Sequence, residues 1–156
     1  MNQLRRALLK GVGSFGTVAV AIAAGMLKPG VAFAAAWNTN AFTSKDIAEA
    51  LKNTGYDGAV ESSDIVLKAP DIAENGAVVP ISVTSNIPGT SSIAIFVEKN
   101  PSPLIADYSI SNGAEPYIST RIKMAKTSIV RVSVKAGGKN YTTSREVKVT
   151  IGGCGG

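Results

Sequence analysis

Seven short segments rich in Ile, Val, Tyr and Thr, period-two alternation in several of them, and clusters of Gly, Pro, Asn and Asp between them predict a mainly β protein. The expected architecture is an immunoglobulin-like antiparallel β-sandwich with one short N-terminal helix and a flexible C-terminal Gly-Gly-Cys-Gly-Gly arm. A small β-barrel is the alternative. Three segments divide the chain: an export signal over residues 1–34, the sandwich domain over residues 35–151, and the arm over residues 152–156.

The chain opens MNQLRRALLKGVGSFGTVAVAIAAGMLKPGVAFAAAW. Arg5, Arg6 and Lys10 form a basic head, an apolar run follows from Gly11 to Leu27, and Ala32-Phe33-Ala34 supplies a small-residue cleavage site. The pair Arg5-Arg6 resembles the twin-arginine class of signals, with Leu8 where such signals often carry Phe. A permanent membrane anchor is disfavoured, because the apolar run is short and diluted by Gly11, Gly13, Gly16 and Gly25.

Residues 43–53, TSKDIAEALKN, read as the one helix. Thr43 is its expected cap, Asp46 stands at the capping-box position, and Ile47, Ala50 and Leu51 form an apolar stripe. The strand-like segments then lie near 63–68, 78–84, 92–98, 104–111, 117–124, 128–136 and 140–151. Val130, Val132 and Val134 share one face, while Arg131, Ser133 and Lys135 share the other. Val147, Val149 and Ile151 alternate in the same way with Glu146, Lys148 and Thr150. Ala136-Gly137-Gly138-Lys139 joins these two strands as a hairpin. Ile151 is expected to be the last packed residue.

Removing residues 1–34 takes away Arg5, Arg6, Lys10 and Lys28. Sixteen basic residues become 12 against 11 acidic ones, so a sequence pI of 9.4 owes much to the signal. A nucleic-acid partner loses its main support. The remaining charge is uneven: from Arg121 onward there are 8 basic residues and one acidic residue, Glu146. Interleaved strands should spread these over a mixed surface, with a basic docking face near the C-terminus as the sharper alternative.

The mature part retains 122 residues, enough for one core. It contains no histidine, which excludes a Ser/His/Asp triad, a Cys/His pair and a histidine metal site. Cys154 is the only cysteine, so no internal disulfide forms. It stands between Gly152-Gly153 and Gly155-Gly156, directly after the last strand. Glycine loses more backbone freedom on ordering than any other residue, so this tail should stay mobile. Three residues from Ile151 to Cys154 can span about 10 Å.

A catalytic cysteine needs a fixed neighbour that lowers its pKa, and Cys154 has neither a histidine nor a helix start near it in sequence. A carrier needs a nucleophilic atom on a thin tether that enters other proteins' active sites, and flanking glycines make such a tether. Tethering also stops an intermediate from diffusing away between steps. A thiol peroxidase or disulfide exchanger fits poorly, since there is no resolving cysteine and no CxxC. An exported interaction or structural module, cross-linked through its single cysteine, is the alternative from another class.

A twin-arginine-like signal, one small β domain and the ending VTIGGCGG together resemble the SoxY family, the sulfur-substrate carriers of the bacterial thiosulfate-oxidising Sox system. The resemblance spans the whole chain, and its specific part is the tail. It implies that Cys154 is the substrate attachment point on an arm made of Gly152, Gly153, Gly155 and Gly156. It implies a periplasmic carrier without cofactor, acted on by partner enzymes rather than catalytic itself. The implied partners are SoxZ, as a separate chain in a heterodimer, a c-type cytochrome complex that joins thiosulfate to the thiol, a metal-dependent hydrolase that releases sulfate, and in some organisms a sulfane dehydrogenase. No nucleic acid and no stable membrane insertion are implied.

Overall fold

A computed structural model describes residues 37–151, so the expected signal and the expected arm both lie outside the described residues. Two short helices open this region, where the sequence suggested one. Helix α1 (Thr39–Thr43) is capped by Asn38, whose side chain accepts from the amide of Ala41 at 3.1 Å. Helix α2 (Ile47–Thr54) starts at Asp46 rather than at Thr43. The reason is a shift of the capping frame by three residues. The hydroxyl of Thr43 is used inside α1, donating to the carbonyl of Thr39 at 2.9 Å. Asp46 instead sits in extended backbone and accepts from the amide of Glu49 at 2.8 Å, while Glu49 Oε2 accepts from the amide of Lys45 at 3.1 Å. At the other end Gly55 takes a left-handed φ of 71°. The amides of Gly55 and Tyr56 then reach the carbonyls of Lys52 and Leu51, which closes the helix as a Schellman turn.

Nine strands follow. Strands β1 (Val60–Glu61), β9 (Lys139–Ile151), β8 (Ser128–Ala136), β5 (Thr90–Val97) and β6 (Leu104–Ser109) lie in that order in the larger sheet, and β3 (Ile72–Asn75) pairs with the far part of β9. Strands β2 (Ile65–Lys68), β4 (Val79–Ser85) and β7 (Tyr117–Ile122) make the smaller sheet. The seven expected strands are β2 and β4–β9. The two additions, β1 and β3, are short and pair with β9 in parallel, so the antiparallel sandwich carries two parallel pairings along one long strand.

The core between the sheets follows the alternation read from sequence. Val130, Val132 and Val134 of β8 are fully buried against Ile93, Ile95 and Val97 of β5 and Val79, Ile81 and Val83 of β4. Burying each such aliphatic side chain contributes about 1.5–3 kcal/mol. The β8–β9 hairpin turns through Gly137 and Gly138, with φ of 56° and 76°. Both central residues of a type I′ turn need positive φ, which is why two glycines stand there.

The opposite face of the larger sheet is covered by the helices. Ala41, Ala50 and Tyr56 form a second buried cluster with Ala94, Phe96 and Leu104 of β5 and β6. The rings of Tyr56 and Phe96 meet edge to face, with centroids 6.2 Å apart and planes at 81°. The phenol oxygen lies 3.0 Å from Asp107 Oδ1 and 2.8 Å from Ser92 Oγ, so its burial leaves no polar atom unpaired. Among the described residues, no helix is long and apolar enough to cross a membrane.

Candidate functional site: the root of the C-terminal arm

Cys154, Gly152, Gly153, Gly155 and Gly156, together with Arg5 and Arg6, lie outside the described residues. What the structure places is the root from which residues 152–156 continue. That root is the last third of β9, and it is built differently from the rest of the strand.

From Lys139 to Val147, β9 is laddered to β8, the last pair being Ser128 with Val147. Beyond Val147 the partner strand β8 has no residue opposite. Strand β3 takes over on the other side, pairing Ile72 with Lys148, Ala73 with Val149 and Asn75 with Ile151. Two threonines reinforce this handover. Thr127 Oγ1 accepts from the amide of Val149 at 2.9 Å, and Thr150 Oγ1 donates to the carbonyl of Glu74 at 2.8 Å. The amide of Lys148 reaches the carbonyl of Asp71 at 2.9 Å.

The last link is at Ile151 itself. Its carbonyl accepts from the amide of Gly76 at 2.8 Å, and the carbonyl of Gly76 accepts from the amide of Met124 at 2.7 Å. One residue of the β3–β4 turn, Gly76, therefore ties the end of β9 to the segment after β7. The turn is closed by Val78 N–H to Asn75 C=O at 3.3 Å and by Ala77 N–H to Asn75 Oδ1 at 2.8 Å. The backbone is thus held in place as far as Ile151.

The side chain of Ile151 is not held. It is 69 % exposed, whereas Val147 is buried and Val149 is half-buried against the core. This corrects the expectation that Ile151 is the last packed residue: the inner face of the sandwich ends at Val149, one alternation earlier. Ile72 and Val78 are also exposed. Electrostatics pin the same region. Arg145 lies 2.6 Å from Asp71, and this guanidinium holds the Asp71 carboxyl below its usual range.

The arrangement makes a rigid base for a segment that starts at Gly152. Among the described residues, no group of three or more His, Cys, Asp or Glu could hold a metal ion. Asn75-Gly76 is one of the Asn and Gly clusters that separate the strand-like segments, and it reads as a turn from sequence. Its second role, holding Ile151, was not visible, because nothing in a local pattern tells which distant carbonyl an amide will meet.

Comparisons with known proteins bear on this site. The family model described as "Sulfur oxidation protein SoxY" matches residues 51–154, a stretch that ends on Cys154. Among solved structures, the chain is similar to the sulfur carrier protein SoxY from Chlorobium limicola f thiosulfatophilum. The two are 43% identical, the match covers 67% of this chain and 96% of that one, and the TM-score is 0.59. No curated protein matches the chain.

Proposed function

The chain belongs to the SoxY family, and from that membership we propose that it is a covalent sulfur carrier whose attachment atom is Cys154 Sγ. The observation that supports this most directly is the family match itself, which runs from Leu51 through the whole of β9 and ends on Cys154. Residues 1–34 act as the twin-arginine export signal, residues 35–151 as the carrier domain in the periplasm, and residues 152–156 as the arm.

The chemistry proceeds on the thiol and is driven by partners. In the loading step, the Cys154 thiol and thiosulfate join through a new S–S bond. One proton and two electrons leave, and the electrons pass to a c-type cytochrome complex. The product is a cysteine S-thiosulfonate. In the next step, water attacks the outer sulfonate sulfur in a metal-dependent hydrolase. Sulfate departs, and a persulfide stays on Cys154. A sulfane dehydrogenase, where present, oxidises that remaining sulfur. The carrier contributes no acid or base to these steps. Its own contribution is positional: a thin tether on a fixed base raises the local concentration of the bound sulfur at each partner. SoxZ, as a separate chain, completes the working heterodimer.

Intact-mass spectrometry of the protein purified from thiosulfate-grown cells tests this reading. The expected result is mass additions of sulfur or thiosulfonate that dithiothreitol removes and that localise to Cys154. Finding Cys154 only as a stable homodimer disulfide, with that dimer as the active form, overturns it.

A further inference from the structure

The outer face of the smaller sheet is concave and carries positive charge with nothing to balance it. Its strands β2, β4 and β7 point Val66 and Lys68, Pro80, Ser82 and Thr84, and Tyr117, Ser119 and Arg121 away from the core. The register sets these in rows. Lys68 faces Ser82, which faces Ser119; Pro80 faces Arg121, one row on. A groove of about 470 Å³ runs along these rows, lined by Lys68, Pro80, Ser82, Tyr117, Ser119 and Arg121 among others, and no carboxylate is among its lining residues.

Both cations are uncompensated. Among the described residues the ion pairs are Arg131 with Glu98 and Arg145 with Asp71, and neither involves Lys68 or Arg121. Asp71, the carboxylate nearest to Lys68 in sequence, is turned to Arg145. Two like charges on one small face repel, and a bound anion relieves that repulsion.

Size decides what kind of anion. Three strands about 4.8 Å apart, over about six residues at about 3.4 Å each, cover on the order of 300 Å². A stable protein partner needs about 800 Å² on each side. The face is too small for that, whereas its groove lies in the volume range of small-molecule sites. The donor set narrows the class further. One ammonium and one guanidinium match two negative charges, and the hydroxyls of Ser82 and Ser119 add donors between them. A monocarboxylate would satisfy only one of the two cations.

We propose that this groove is a non-covalent site for a dianionic tetrahedral oxyanion of the sulfate and thiosulfate type, held between Lys68 and Arg121 over Ser82 and Ser119. The ion is free in solution: the sulfonate end of an S-thiosulfonate on Cys154 carries a single negative charge and, like a monocarboxylate, would satisfy only one of the two cations. The site therefore does not rest on the carrier reading.

The test is amide-resolved NMR of the purified chain at fixed ionic strength. Cys154→Ser protein, which cannot be loaded, is titrated with sodium thiosulfate and separately with sodium sulfate. Saturable shifts at Ser82 and Ser119 are expected with at least one of the two dianions. Lys68→Gln and Arg121→Gln should each weaken binding about tenfold at an unchanged unfolding midpoint, since both residues are exposed. No saturable shift with either dianion overturns the proposal. So does an equal response to sodium chloride, or an undiminished response in the Lys68→Gln, Arg121→Gln double variant. None of these outcomes touches the attachment role of Cys154, which is read separately by mass.

Discussion

Lys135 stands over the ring of Tyr56, with its Nζ 4.3 Å from the ring centroid, and donates to the carbonyl of Thr54 at 2.7 Å. One side chain on the outer face of β8 therefore binds the end of α2 twice, once through charge on a π-face and once through a carbonyl orphaned at the helix terminus. Asn140 adds to this by donating to the carbonyls of Gly55 and Asp57. These polar ties add to the buried cluster of Ala41, Ala50, Tyr56, Ala94, Phe96 and Leu104 that seats the helical layer on the sheet.

The Tyr56 phenol gives the corner a pH signature. Burial pushes its pKa well above the ordinary value of about 10. The folded state then keeps the proton where the unfolded state loses it. The stability this represents is complete below pH ~10 and is lost as pH rises beyond that. Tyr56→Phe should destabilise the protein by about 1 kcal/mol at neutral pH, from the lost hydrogen bonds. It should also flatten the fall in stability above pH ~10. Urea unfolding of both proteins across pH 7–11 checks this; parallel curves would contradict it.

The threonine pair at the handover from β8 to β3 should control local opening of the arm root. Each bond contributes about 0.5–1.5 kcal/mol net. A Thr127→Ala, Thr150→Ala double variant should speed amide exchange at Lys148 and Val149, while Val130, Val132 and Val134 keep wild-type protection. Hydrogen exchange resolved by residue measures this, and equal acceleration throughout would mean that the threonines support the whole sandwich instead.

Cys154→Ser should leave the unfolding midpoint unchanged, because the core described between the sheets draws its residues from Ile65 to Val149. Thiosulfate-dependent activity in a reconstituted Sox system should disappear. Wild-type turnover by the serine variant would end the carrier reading.

Gly153→Trp and Gly155→Trp test the thinness of the tether. Both should reduce turnover at least about tenfold, about 1.4 kcal/mol on the limiting step, while iodoacetamide still alkylates Cys154 at its normal rate. Small reagents reach an exposed thiol freely, whereas a narrow partner channel does not admit an indole. Normal turnover with both variants would show that no narrow channel is entered.

What was legible in the sequence follows from how local each signal is. Cys154 stood out from composition alone. The β8–β9 hairpin was legible because Val130, Val132 and Val134 alternate cleanly and Gly137-Gly138 can take positive φ together. The start of α2 was misplaced by three residues because Thr43 and Asp46 can both cap, and only the use of the Thr43 hydroxyl within α1 decides between them. Strands β1 and β3 were not legible at all. Val60–Glu61 and Ile72–Asn75 are too short for alternation to register, and they are strands because the long edge of β9 offers them unpaired backbone. The exposure of Ile151 has the same origin: alternation predicts which way a side chain points, but not where the opposing layer stops.

The handover along β9 also has a mechanical consequence. Consider a load applied at Ile151 along the axis of the strand. Load in that direction does not peel hydrogen bonds apart one at a time, as it would at the open end of a hairpin. It shears the β3 and β8 ladders together, so several bonds must fail at once before the strand slips. The described end of β9 is therefore fastened more strongly against an axial load than against a sideways one.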